Sequence, residues 1–251
     1  DINTVKLLID IGNTHTHIGY WHSSRVINCR IIKTESLLKN LDNLSYKSLE
    51  DIYLVSVISP ETHKRILKKL ASYTKTSITE IKSSKKFMGV TNGYINPRQL
   101  GNDRWACIVG LSLKYKKSLC IVDCGTAISI DFVKNRLKHA GGYILSGFSG
   151  YSSSFSYAHN LKNLKLFLPK SNKKKFTIAK STREAILEGY SSMIVSTVEK
   201  SYKEFSASQI KKPILIIGGG YGETVSKRIS IRNIYEPNLV LKSLGSIANH
   251  S

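Results

Sequence analysis

No apolar run in this 251-residue chain reaches the ~18 residues that a helix needs to cross a bilayer. No charged, then apolar, then small-residue segment opens it, so no secretory leader is read at its start. Cysteine is scarce: Cys29, Cys107, Cys120 and Cys124. None forms a Cys-x-x-Cys pair and no Cys/His set has zinc spacing, which excludes a recognisable zinc or dithiol centre. Reduced thiols in the cytoplasm are therefore expected, with Cys120 and Cys124 as small core residues. Low-complexity linkers are missing too, so any two domains must share an interface. Acidic residues are few, 17 against 38 Lys+Arg, for a net charge of +21.

That imbalance raises nucleic acid as a partner. The basic residues, however, are spread in small groups such as Lys64-Arg65, Lys68-Lys69, Lys116-Lys117 and Lys173-Lys174-Lys175. Most are lysine, and no aromatic stacking pattern is interleaved with them. A solvated lysine surface is the better reading, and anionic substrates gain attraction either way. With 41% hydrophobic residues the chain can bury a substantial core, as one large or two ordinary domains.

Strands are expected at 5–10, 15–21, 25–33, 51–58, 77–81, 118–123, 128–133 and 213–217, with a further strand or loop at 140–144. Helices are expected within 36–51 and at 61–72, 105–114, 181–205, 223–228 and 242–248. Pro60 suits the first turn of the second of these, Asn102 or Asp103 would cap the third, and Ser181 or Thr182 the fourth. Residues 94–98 and 170–175 read as loops, 136–142 as a turn region, and the Gly- and Ser-rich 147–154 as mobile or ligand-facing. Alternation of strands and helices argues an α/β fold.

Leu7-Leu8-Ile9-Asp10-Ile11-Gly12-Asn13-Thr14 is an apolar strand that ends in a carboxylate and a polar turn. Such a turn suits phosphate, with Asp10 beside a divalent cation. Alone, the stretch reads better as a plain strand corner. Its echo changes that reading, for Ile121-Val122-Asp123-Cys124-Gly125-Thr126-Ala127 has the same form 113 residues later. Two such units starting two halves of one chain imply a duplicated fold, with the turns facing across a cleft. A third turn, Gly218-Gly219-Gly220-Tyr221-Gly222, follows a buried strand and could approach a nucleotide closely.

This set resembles the superfamily of acetate and sugar kinases, Hsp70 and actin, and within it the type III pantothenate kinases. Asp10-x-Gly12-Asn13-Thr14 is similar to that family's first motif. Tyr94-x-Asn96-Pro97 with Gly101-Asn102-Asp103-Arg104 is similar to its substrate and catalytic segment. Asp123-x-Gly125-Thr126-Ala127, with Asp131 after it, is similar to the second motif. Ser181-Thr182-x-Glu184-Ala185-Ile186-x-x-Gly189 and the terminal Leu239-Val240-Leu241 also fit.

The resemblance implies two ribonuclease-H-like halves, 1–115 with the first motif and the substrate segment and 116–251 with the second motif and the adenosine turn, around a shared active site. It implies ATP-dependent phosphorylation of pantothenate to 4′-phosphopantothenate by a cytoplasmic homodimer. Asp103 would be the general base and Arg104 its catalytic neighbour. Gly12, Asn13, Thr14, Thr126, Gly218 and Gly219 would contact ATP, and Asp10 both phosphate and Mg²⁺. Asp123 would hold K⁺ or ammonium. Tyr94, Gly101, Asn102 and Thr182 would join Asp103 and Arg104 at pantothenate.

Each residue also has a plain reading. Asp103 could be a helix cap, Asp10 a turn carboxylate, Asp123 a strand-end carboxylate, Tyr94 a surface tyrosine and Thr182 an N-cap. His15 and His17 share one face of a strand, but no carboxylate or cysteine completes a convincing metal set, so they read as polar strand residues. Where the family has Pro-Gly this chain has Ser146-Gly147, and Ile128-Ser129 replace a common Thr-Thr. The rival functions are a non-catalytic regulator of the same fold, contacting nucleic acid through its basic surface, and a kinase for another small hydroxyl compound.

Overall fold

A computed structural model describes residues 5–44, 49–73, 75–155, 166–168 and 176–251. The expected loop at 170–175 and residues 45–48 of the expected helical segment 36–51 lie outside the described residues. The contacts divide the chain into two compact units, Asp1–Lys116 with Val240–Ser251, and Lys117–Leu239.

The first unit is built on β1 (Val5–Ile11), β2 (His15–His22) and β3 (Arg25–Lys33), an antiparallel meander. A short helix, α1 (Leu37–Asn40), buries Leu37 between flanking 3₁₀ turns. Then β4 (Leu49–Ser56), α2 (Pro60–Tyr73) and β5 (Ser77–Glu80) follow. The sheet order is β3-β2-β1-β4-β5, with β1–β4 and β4–β5 parallel. β1 has strand neighbours on both sides, and Leu7, Leu8, Ile9 and Ile11 are fully buried. That is why its sequence is continuously apolar rather than alternating. Pro60 opens α2 as expected, and Ile66 and Leu70 turn into the core.

A hairpin of β6 (Lys86–Phe87) and β7 (Val90–Thr91) was not foreseen. Its two-residue turn has positive φ at both Met88 (46°) and Gly89 (83°), the twist that closes a tight hairpin. Next comes α3 (Asn102–Tyr115), buried from Arg104 to Ser112. Its cap differs from expectation. Gly101 is the N-cap, without a side-chain bond, while Asn102 and Asp103 lie inside the first turn. Their side chains are used elsewhere, as described below.

The second unit holds β8 (Leu119–Cys124), β9 (Ala127–Lys134), β10 (Lys138–Ser146), α4 (Phe148–Ser153), α5 (Thr182–Ala207), β11 (Ile214–Gly218), α6 (Gly222–Arg228) and β12 (Asn233–Glu236). Within it the order is β10-β9-β8-β11-β12. The β8–β9 and β9–β10 junctions are antiparallel; β8–β11 and β11–β12 are parallel. Order and direction repeat those of the first unit strand for strand, so the duplicated α/β fold read from the echoed motif is real.

The turn expected at 136–142 is a correction. Only three residues separate β9 from β10, and Gly141 and Gly142 lie within the strand. A register shift between His139 and Gly141, with Gly141 at φ 107°, absorbs the bend that the glycines suggested. The 147–154 segment contains the short α4.

The last helix, α7 (Leu239–Ala248), begins three residues before the expected start and belongs from Val240 onward to the first unit. A Cβ on Gly110 of α3 would stand 2.2 Å from the carbonyl oxygen of Ser243, so only glycine lets these two helices meet. Lys6 Nζ donates to the Ala248 carbonyl (2.7 Å), and Trp21 Nε1 to Asn249 Oδ1 (2.7 Å), fastening the helix to the first two strands.

Candidate active site

In the first unit Asp10 is the penultimate residue of β1 and is 8% exposed. The turn beyond it is held from several sides. Gly12 N–H donates to the His15 carbonyl (3.1 Å), and Thr34 Oγ1 donates to the Gly12 carbonyl (2.7 Å). Thr34 N–H donates to the Thr14 carbonyl (3.0 Å), and the hydroxyls of Thr34 and the fully buried Thr16 pair at 3.0 Å. With the Gly12 N–H spent on the turn itself, the groups presented outward are those of the exposed Asn13 and Thr14. Asp10 Oδ2 faces His17 Nδ1 at 3.2 Å. Oδ1 makes no hydrogen bond or ion pair among the described residues. A buried hard oxygen at a strand end, next to a polar exposed turn, fits a divalent cation shared with a phosphate.

The segment before α3 is scaffolded by amides. Asn92, 7% exposed, donates to Ser83 Oγ (3.1 Å) and accepts from Tyr94 N–H (3.0 Å). Asn102 accepts from Ser83 N–H (2.8 Å) and donates to the Ser56 carbonyl at the end of β4 (2.9 Å). Both ends of its amide are thus engaged with backbone, and the residue ties the start of α3 to the sheet. Asn96 caps the 3₁₀ turn Pro97–Gln99 by accepting from Arg98 N–H (3.2 Å).

Asp103 Oδ1 accepts from Arg104 N–H at 2.7 Å. Burial raises its carboxyl above the usual carboxylate range, and the negative charge of Asp10 adds to the rise; the Arg104 N–H and guanidinium oppose both. Asp10 and Asp103 are therefore electrostatic neighbours, although 93 residues separate them in sequence. Arg104, 9% exposed, donates through its guanidinium to Tyr94 Oη (3.0 Å), and the guanidinium lies over the Tyr94 ring, 5.6 Å from its centroid. Asp10, Tyr94, Gly101, Asn102, Asp103 and Arg104 are thus assembled in one unit.

In the second unit Gly125 N–H donates to the Ala127 carbonyl (3.1 Å), closing a tighter turn that leaves Thr126 exposed. The backbone is crowded here. A Cβ on Gly147 would stand 2.0 Å from the Thr126 carbonyl oxygen, so the Ser146-Gly147 sequence retains the one residue that this approach requires. A Cβ on Gly219 (φ 84°) would stand 2.5 Å from Asp123 Oδ1 and from Cys124. Tyr221 N–H donates to the Cys124 carbonyl (3.1 Å). The fold thus lays the glycine-rich turn directly against Asp123, while a Cβ on Gly220 would meet nothing. Ser181 caps α5, accepting from Glu184 N–H (3.3 Å), and Thr182 is exposed at its first turn.

The residues read from sequence therefore fall in two groups, one per unit. The type III pantothenate kinase model matches residues 6–204. The chain belongs to that family. Relatives called type III pantothenate kinase include one from Sulfurihydrogenibium sp. (strain YO3AOP1), 28% identical over 95% of this chain and 97% of its own length. Another, from Acinetobacter baumannii (strain ACICU), is 28% identical over 98% of each.

Among solved structures, a protein described as a Baf family transcriptional activator from Campylobacter jejuni superposes with TM-score 0.65 at 19% identity, covering 97% of this chain and 98% of its own. One described as a 2-dehydro-3-deoxygalactonokinase protein from Sinorhizobium meliloti gives TM-score 0.58 at 11% identity, covering 98% of both chains. At these identities the likeness shows the fold alone. Membership of the pantothenate kinase family makes the chain an enzyme of the kinase class, working with ATP and a divalent metal.

Some polar partnerships escape sequence reasoning. His139, 2% exposed, pairs through Nε2 with Asp131 Oδ1 (3.0 Å) inside the β9–β10 hairpin. His17 is a polar strand residue, as read, and its carboxylate partner Asp10 is what the sequence reading did not supply. A hairpin register that joins Ile11 to Thr16 also joins Asp10 to His17, and that register was the available signal. Among the described residues no cluster of three or more His, Cys, Asp or Glu could hold a metal. Cys120 and Cys124 are core residues as expected, and burial raises both thiols far above their ordinary range, so neither is a nucleophile. Among the described residues no helix is long and apolar enough to cross a membrane.

Proposed function

We propose that the chain transfers the γ-phosphoryl group of ATP to a hydroxyl of pantothenate, giving 4′-phosphopantothenate, the first step of coenzyme A synthesis. The observation that carries this reading is the buried Asp103 carboxyl, bonded to Arg104 N–H and raised by burial and by the charge of Asp10. A base works best when its pKa approaches the working pH. Asp103 takes the hydroxyl proton as the substrate oxygen bonds to the γ-phosphorus and the bond to the β–γ bridging oxygen breaks. Arg104, positioned through Tyr94 Oη, offers its guanidinium to the negative charge of substrate or phosphate. Gly101 and Asn102 set the start of α3, and Tyr94 lines the substrate side.

The first half, 1–115, supplies Gly12, Asn13 and Thr14 for phosphate and Asp10 for Mg²⁺. The second half, 116–251, supplies Thr126 for phosphate and Gly218 and Gly219 for adenosine, with Asp123 for a monovalent cation, K⁺ or ammonium. Bound Mg²⁺ would neutralise charge on the transferring phosphates. Thr182 is assigned to pantothenate held by the second copy in a homodimer.

Purified protein with ATP, Mg²⁺ and K⁺ should phosphorylate pantothenate, and omission of K⁺ should slow it. Asp103→Asn should lower turnover by roughly 10²–10⁴-fold with the fold intact. An inactive parent protein would sink the enzymatic reading of this substrate; phosphorylation of another small alcohol would redirect it. The regulator reading rests on the +21 charge. It predicts DNA binding at physiological ionic strength that falls steeply with salt.

A further inference from the structure

We infer that His17 is a positioning residue for the metal-facing carboxylate of Asp10. The inference deepens the functional reading above and rests on its assignment of Asp10 to Mg²⁺. The antiparallel register of β1 and β2 sets Asp10 directly opposite His17. Cross-strand partners project to the same face of a sheet, within side-chain reach of each other. Thr16 and Ile18, on either side of His17, are both buried, so β2 is fixed from its other face. His17 Nδ1 stands 3.2 Å from Asp10 Oδ2. Since the carboxylate oxygen can only accept, the imidazole serves as the Nδ1–H donor, and this fixes its tautomer.

The consequence is an oriented carboxylate. Oδ2 is held by the imidazole, and Oδ1 is left for the cation. The clamp of Thr34 and Thr16 on the adjoining turn holds the backbone of the same corner. Without His17, Asp10 would face the charge of Asp103 with no imidazole donor to hold its rotamer. The imidazole is 43% exposed at its side chain against 11% for Asp10, so it serves the site edge rather than the core. A hydrogen bond to a liganding group from outside the coordination sphere typically changes metal affinity about 10–100-fold.

The test is Mn²⁺ binding, followed by electron paramagnetic resonance, to the full chain with a non-hydrolysable ATP analogue. His17→Ala should weaken Mn²⁺ affinity about 10–100-fold and raise the KM for Mg·ATP, leaving the KM for pantothenate unchanged. His17→Asn, whose amide N–H can occupy the Nδ1 position, should restore most of the affinity. Mn²⁺ affinity of His17→Ala within about 2-fold of the parent, or no rescue by His17→Asn, would overturn the positioning role. Asp10→Asn, measured in parallel, separates the two readings. If it weakens Mn²⁺ binding and His17→Ala does not, only the positioning role falls. If neither variant changes it, the assignment of Asp10 to the metal falls as well, and the inference with it.

Discussion

The two Asp-x-Gly hairpins share topology but not construction. In the first, Asp10 is opposed by an imidazole, and the turn is clamped by the hydroxyl of Thr34, just after β3, paired with that of Thr16 in β2. In the second, Asp123 is opposed by Ser129, and the turn is walled by the backbones at Gly147 and Gly219. The second half keeps its histidine–carboxylate pair elsewhere in the same sheet, between Asp131 of β9 and His139 of β10, where it is fully enclosed. Duplication thus preserves the strand order, while the turn after the carboxylate is supported differently in the two copies. Side-chain hydrogen bonds serve one copy, and close backbone approach serves the other.

Substitutions can break this contrast at several points. The largest effect expected is on chemistry in the first half: Asp103→Asn should lower kcat by roughly 10²–10⁴-fold, the usual worth of a positioned base. Steady-state assays with matched circular dichroism will check it.

Next is the enclosed pair of the second half. His139→Ala leaves the Asp131 carboxylate buried and should cost about 3 kcal/mol or more. In a chain of this size that lowers Tm by roughly 2–4 °C per kcal/mol. The half-exposed His17→Ala should leave Tm nearly unmoved in the same scan.

Gly147→Ala tests the backbone wall. Its Cβ would force the Thr126 carbonyl aside, which should cost roughly 1–3 kcal/mol and weaken ATP binding more than pantothenate binding in calorimetric titrations.

The smallest effect is on pH dependence. The Asp103 carboxyl binds its proton more tightly folded than unfolded, so its buried charge opposes folding at neutral pH and that cost disappears as pH falls through the raised pKa. Asp103→Asn keeps the acceptor for Arg104 N–H and should be slightly more stable than the parent at pH 7. The difference should close in acid when thermal unfolding is followed from neutral to low pH.

Local signals were legible and pairing across strands was not. The continuous apolar runs at Leu7–Ile9 and Ile121–Val122, Pro60 at the head of α2 and Ser181 at the head of α5 each act within a few residues, so sequence displays them. The Gly141-Gly142 pair looked like a turn because the bulge that accommodates it depends on the register with β9. Asn102 looked like a cap because its partners, Ser56 and Ser83, are remote in sequence. The Asp10–His17 contact needed a hairpin register rather than a motif. For the same reason the motifs named the candidate residues, yet the clamps that hold them were invisible.

The placement of α7 also bears on how the protein is made. Residues 117–239 form one compact unit from a single continuous segment, whereas the unit that contains the N-terminal strands also needs residues 240–251. On the ribosome, then, the half begun first is finished last. The middle segment can fold as it emerges, while β1 and β2 wait for the helix that Lys6 and Trp21 hold.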